Sequence, residues 1–348
     1  MTSFTPSLSH PFRFSTLILT LLSLFLLVAC SQQADTPQGE GGAKETEKRR
    51  FLSIGTAPPG GAFFVVGGAI AQTVGDAEGN KNWDVSAEAT KGTMENIRRL
   101  EKGELDLALA NAAITYFAVR GEEGWDKAYD MQSVITLAPN IALFITAKSS
   151  GVKNIADLKG KRVVVGPAGA GFEYFIRPIL AAHGVSYEDF TPLNATQTAA
   201  VDMLSDGSAD AAFLGGAVPT ASITQAATSQ DIHFIPFADA AREKLINDYP
   251  FFSAATIPPG TYKGLDTAYE GLNVGSMILI ASAKADTDLI YQFTKSAYEN
   301  RAEIVKRHPA GKAINPKNAP RSTGLSFHPG AVKFYKEAGI WPEPAGTP

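Results

Sequence analysis

The sequence predicts an α/β fold of roughly two domains, and three observations carry that expectation. The chain is 348 residues long with 45% hydrophobic content and a formal charge of −4, an ordinary balance for a protein with a buried core. From Phe51 onward, short β-type runs alternate with helical stretches. A strand, a glycine turn and a helix start occur together twice, at FLSIGTAPPGGAFF and again at RVVVGPAGAGFEYF.

Taken in order, FLSIG reads as a strand and AFFVVGGAIAQTV as a helix apolar enough to be buried. WDVSAEAT is a strand, and TMENIRRLEKG a helix that ends at Gly103. LDLALAN and ALFITAK are strands. The turn GVKNIADLKGK leads into the strand RVVVG, the turn PAGAG and a helix near FEYFIRPILAAHG. AAVDMLSDG is helical and ADAAFLGG a strand. NVGSMILIASA reads as one long apolar strand, and DTDLIYQFTKSAYENRAEIVKRH as a helix of several turns. Alternation of this kind implies parallel sheets with helices on both faces, with ligands at the C-terminal ends of the strands.

The first thirty residues differ. Arg13 precedes the apolar run LILTLLSLFLLVA, which is the length of a secretory h-region and short for a spanning helix of about 20 residues. LVAC, Leu27 to Cys30, resembles the bacterial lipobox, so residues 1–29 are read as a lipoprotein signal peptide and Cys30 as the lipidated residue. An uncleaved anchor or a plain signal peptide are the alternatives. Cys30 is the only cysteine, which excludes an intrachain disulfide. Residues 30–50 are polar and aperiodic and read as a tether from a membrane surface. The location expected is therefore extracytoplasmic, lipid-anchored in the periplasm or at the cell surface.

The motifs of catalysis fail in turn. GTAPPGGAF lacks the lysine of a P-loop, and Tyr174 stands where the third glycine of a dinucleotide fingerprint would be. There is no H-E-x-x-H and no G-x-S-x-G. His183, His233, His308 and His328 show no ligand-like spacing. Asp202, Asp206 and Asp210 recur every four residues, which fits an exposed polar face better than a metal site. The expectation is no enzyme, no cofactor and no metal; the absence of a basic excess also argues against nucleic acid.

Six stretches together resemble the TAXI family of substrate-binding proteins, receptors of tripartite (TRAP) transporters. They are IGTAPPGGAFFVVGGAIA, TKGTMENIRRLEKGELDLALAN, SGVKNIADLKGKRVVVGPAGAG, DGSADAAFLGGAVP, YPFFSAATIPPGTYKG and HPGAVKFYKEAGI. The resemblance implies a two-lobed, type II-like periplasmic-binding-protein fold, with the second lobe inserted in the first and ligand held in the cleft between them. Lobe I would be 51–147 and 257–348, and lobe II 148–256. It also implies capture of a glutamate- or 2-oxoglutarate-like carboxylate, or a less polar acid, by a monomeric receptor that delivers it to an ion-coupled TRAP-type permease. A receptor for a sensor kinase or an ATP-driven ABC transporter is the alternative.

Helix N-termini carry unpaired N–H donors and roughly half an elementary charge each. The site implied is thus two opposed main-chain cradles: Gly60, Gly61 and Ala62 from lobe I, and Gly169, Ala170 and Gly171 from lobe II. Thr90, Gly92, Thr93 and Asn111 sit at strand ends of lobe I, and Gly216, Ala217 and Pro219 at one of lobe II. Two positions depart from the family: Phe64 stands where Tyr is usual and Ala170 where Ser or Thr is frequent. Each loses a hydroxyl, which disfavours polar ligands by about 1–2 kcal/mol per bond. Phe63 and Phe64 could instead pack the first turn into the core. Lys91 and Arg177 are the nearest cationic candidates for a carboxylate.

Overall fold

A computed structural model describes residues 49–249 and 251–342. The signal-like segment, Cys30 and the tether up to residue 48 lie outside the described residues. Arg50 already belongs to the first strand, opposite Trp83.

Four strands open a first sheet: β1 (Arg50–Gly55), β2 (Trp83–Glu88), β3 (Leu107–Asn111) and β4 (Met131–Thr136). Seven then build a second sheet: β5 (Ile141–Ala147), β6 (Arg162–Val164), β7 (Thr191–Leu193), β8 (Ala211–Gly216), β9 (Ile232–Ile235), β10 (Phe252–Ile257) and β11 (Tyr269–Val274). A twelfth, β12 (Met277–Ser282), returns to the first sheet, whose order is β2-β1-β3-β12-β4. The result is two lobes, each organised on one sheet.

Helices α1 (Ala62–Gly75), α2 (Thr93–Glu101) and α3 (Ala112–Ala118) follow β1, β2 and β3. Lobe II carries α4 (Glu173–Ala182), α5 (Gln197–Ser205), α6 (Ala221–Ser229) and α7 (Asp239–Asp248). After β12 come α8 (Thr287–Glu299), α9 (Arg301–Arg307) and α10 (Pro329–Glu337). No described helix is long and apolar enough to cross a membrane.

Alternation along β3 shows why the sheet is covered on both sides. Side chains of a strand point to opposite faces in turn. Leu107 and Leu109 enter a core with Val66, Ile70 and Phe293, whereas Ala108 and Ala110 enter another with Ile97 and Ile114. Both faces are dry, so β3 reads as a continuous apolar run.

Three differences from the sequence reading have local causes. The sheets are mixed rather than parallel: β12 runs antiparallel to β3 and β4, and β5 antiparallel to β8, β9 and β11. A strand made by chain that returns from the other lobe need not share the direction set by helical crossovers. The run NVGSMILIASA is two strands, not one. Gly275 (φ +100°) separates them, and a Cβ there would lie 2.6 Å from the Ala113 amide nitrogen, so only glycine fits the turn. The long C-terminal helix is likewise broken at Asn300.

Sheet membership also differs from the expected segment bounds. Strand β5, at residues 141–147, and strand β11, beyond residue 257, both belong to the second sheet. Pairing partners decide this, and ALFITAK carries no sign of which sheet it joins.

The chain crosses between the sheets at 137–140 and again at 275–276. The two passages lie side by side. Val274 donates its N–H to the Asn140 carbonyl (2.9 Å), Asn140 donates its own to Asn273 Oδ1 (3.0 Å), and Met277 donates to the Ala138 carbonyl (2.9 Å). Asn111 pins them by donating from Nδ2 to the carbonyls of Val274 (3.0 Å) and Gly275 (2.9 Å). The lobes are drawn together over the cleft. Tyr174 of α4 stacks on Phe117 of α3 (5.6 Å) and on Trp125 (6.3 Å), an arrangement favourable for aromatic rings. Burial raises the Tyr174 phenol above its ordinary pKa.

Candidate functional site

A narrow cavity lies between the lobes. Its lobe I wall begins with two helix starts. The N-cap of α1 is Gly61, and no side chain caps the first turn. The N-cap of α2 is Gly92, again without a side-chain cap; its φ of +115° makes the turn from β2 into the helix. Gly61, Ala62, Gly92 and Thr93 all line the cavity. The first-turn N–H groups have no intrahelical acceptor, and both dipole ends bring positive potential to one space.

The start of α3 shows the contrast. Asn111 Oδ1 accepts from the N–H groups of Ala113 (2.9 Å) and Ile114 (3.2 Å). Its Nδ2 is taken by the two hinge carbonyls. Asn111 borders the cavity, yet its amide is committed to the protein, and its work is to hold the passage between the lobes.

The lobe II wall is apolar. Phe172, Phe175 and Phe213 form a cluster with ring centroids 5.4 to 6.0 Å apart. Gln197 is polar but occupied: Nε2 donates to the Gly215 carbonyl (2.7 Å) and Oε1 accepts from Ser222 Oγ (2.8 Å). From lobe I, Phe63 lines the cavity and packs on the core, while Phe64, half-buried, is not part of the lining.

The lobe II glycine turn meets protein. Gly171 packs where a Cβ would be 2.9 Å from Met94 Cγ and 3.2 Å from Ile114 Cδ1, and Ala170 is buried against Gly92. Gly169 is exposed, with nothing within 4 Å of its Cβ position. The second uncapped cradle beside α1 is therefore α2, of the same lobe. Gly60 closes against Thr198 of α5, and Gly216 against Ala62. Ala217 is buried in the lobe I core, and Pro219 is exposed after a cis peptide bond. Thr90 is buried, donating to the Thr56 carbonyl (3.1 Å) and accepting from the Gly92 N–H (3.1 Å).

Of the two cations, Lys91 lines the cavity; Arg177 lies over the Tyr187 ring, 3.9 Å from its centroid. The lining holds no carboxylate, histidine or cysteine. Among the described residues, no group of three or more His, Cys, Asp or Glu is placed to hold a metal. Asp210 is bound by Arg162 instead (2.9 and 3.1 Å), and that charge-assisted contact lowers its carboxyl below the ordinary range.

Sequence reasoning missed Asn140, Gln197 and the three lobe II phenylalanines. FEYF and AAFLGG held the aromatic signal at a helix start and a strand end. Asn140, between Pro139 and an apolar strand, carried none.

The fold is similar to that of PhnD1 from Prochlorococcus marinus, solved with methylphosphonate, at 10% identity and a TM-score of 0.52 over 84% of this chain and 97% of that one. A periplasmic transporter gives 13% identity and 0.52 over 83% and 93%. A protein of Bordetella bronchiseptica RB50 gives 16% and 0.50 over 82% of each chain. At these identities the likeness shows the fold, a two-lobed periplasmic-binding-protein architecture of type II form. Residues 54–339 match the model of the NMT1-like family, and the chain belongs to that family.

Proposed function

We propose that the protein is an extracytoplasmic receptor that closes over a small organic acid and passes it to a membrane transporter. One observation carries the reading: two uncapped helix starts of lobe I border an interlobe cavity whose lining has no acid or base pair. Such a wall suits an anion and lacks the paired acid and base that proton transfer or an activated nucleophile would need. The two short passages between the sheets supply the hinge such a receptor needs, and we place lobe II between them.

The membrane partner lies outside the cavity chemistry. The fold likeness to a methylphosphonate-bound protein and to a periplasmic transporter supports a receptor feeding an ATP-driven transporter or a sensor. The sequence motifs of the first subsection support a TRAP-type permease. Acylation at Cys30 would hold a monomeric receptor beside either. Uptake of the ligand by cells separates them: collapse of ion gradients by an ionophore stops a TRAP-type system, whereas ATP depletion with gradients kept stops the other.

Calorimetry with a panel of organic acids, guided by mass spectrometry of whatever co-purifies, tests the receptor itself. Micromolar binding with one ligand per chain is expected. Turnover of any of them would replace the reading with that of an exported enzyme, and failure of every acid to bind would remove the organic-acid assignment.

A further inference from the structure

Resting on the receptor reading, we infer that the ligand is a monoanionic acid with a compact apolar body and no ammonium group. Asn140 is the observation that goes beyond the helix starts. The residue is 7% exposed and lines the cavity, and its amide opens onto that space with no hydrogen bond to the described residues. Its main chain is fully used at the hinge, so the residue is held rigidly while its polar end is spare. An amide that opens onto the cavity and has no protein partner is available to a guest, both to donate and to accept. Thr93 adds a second spare donor: its Oγ1 accepts from the Asn111 N–H (3.0 Å) and keeps its own proton free.

These groups converge with the N–H donors of α1 and α2 on the same wall. Two helix ends of about half a charge each and Lys91 are partly offset by Glu95 in the first turn of α2, whose Oε2 accepts from the Lys91 main-chain N–H (3.0 Å). The remainder matches one negative charge. It leaves nothing for a positive one. An α-amino acid would bring its ammonium into a site with two positive dipole ends and no lining carboxylate, an unpaired charge that a buried site disfavours strongly. A second carboxylate would face Phe172, Phe175 and Phe213, which offer no hydrogen bond. The apolar body fits there.

The test uses acids matched on one skeleton. Calorimetry of the wild-type protein compares 3-methylbutanoate with valine, which adds only the ammonium, with succinate, which trades the branched end for a second carboxylate, and with the neutral 3-methylbutanamide. The expected order puts 3-methylbutanoate tightest, valine about a hundredfold weaker, and succinate and the amide each about tenfold weaker. Valine or succinate binding as tightly as 3-methylbutanoate overturns this inference and leaves the receptor reading standing. No binding by any of these, by benzoate or by glutamate overturns both.

Asn140→Leu supplies the second arm. It removes the amide from the cavity wall and keeps the hinge main-chain bonds, so 3-methylbutanoate should bind about tenfold more weakly. Unchanged affinity in that variant removes Asn140 from the head-group site and overturns the assignment. Should Asn140→Leu not fold, Thr93→Val is read by affinity alone, because it also takes the acceptor from the Asn111 N–H and lowers the melting temperature. About tenfold weaker binding of 3-methylbutanoate supports the donor wall, and unchanged affinity overturns it.

Discussion

The turns at 55–63 and 166–172 share a plan, since each leads from a strand through glycines into a helix, yet they meet different surroundings. The first ends at an uncapped helix start open to the cavity. The second is pressed against Met94 and Ile114 of the opposite lobe. A glycine can make room for a ligand or for another part of the same protein, and composition alone does not say which. Here one turn faces the cavity and the other rests on the opposite lobe.

Breaking the closing turn should have the largest effect. Gly171→Val places a branched side chain where Met94 and Ile114 already sit, at a φ of +88° that disfavours any Cβ. Affinity should fall by more than about a hundredfold, and solution scattering should show the lobes held apart with ligand present. A compact, ligand-competent variant would mean that this contact is dispensable.

Gly61→Val tests the binding turn. Its backbone is extended (φ −92°) and its Cβ position is clear to 3.7 Å, so the fold and melting temperature should hold. The added side chain enters the space before the α1 amides, and about tenfold to hundredfold weaker binding is expected by calorimetry. Wild-type affinity would remove this helix start from the site.

Phe64→Tyr should have the smallest effect. Phe64 is absent from the lining, so a restored hydroxyl cannot reach the guest, and affinity for polar acids should stay within about twofold. A clear gain would show that the ring turns into the cleft when the lobes open.

Much of this was legible from residues alone. A short apolar β-type run marked LDLALAN, and the glycine turn before AFFVV marked α1, because both signals are local. What failed was pairing over distance. Nothing in RVVVGPAGAG says that its turn will rest on Met94, some 75 residues away in sequence. Nothing in ALFITAK says which sheet it will join. Gly275 was visible inside an apolar run, but an interior glycine reads equally as a bulge. Only the neighbouring Ala113 amide shows that the chain must change sheets there.

The position of β12 has a consequence for how the chain acquires its structure. This strand lies between β3 and β4, so the first sheet stays in two unjoined pieces until residues 277–282 have been made. The second sheet draws only on the uninterrupted stretch 141–274 and can form as soon as that stretch is complete. The sheet that begins the sequence is therefore the one that must wait for later residues. Until then the edges of β3 and β4 stay bare.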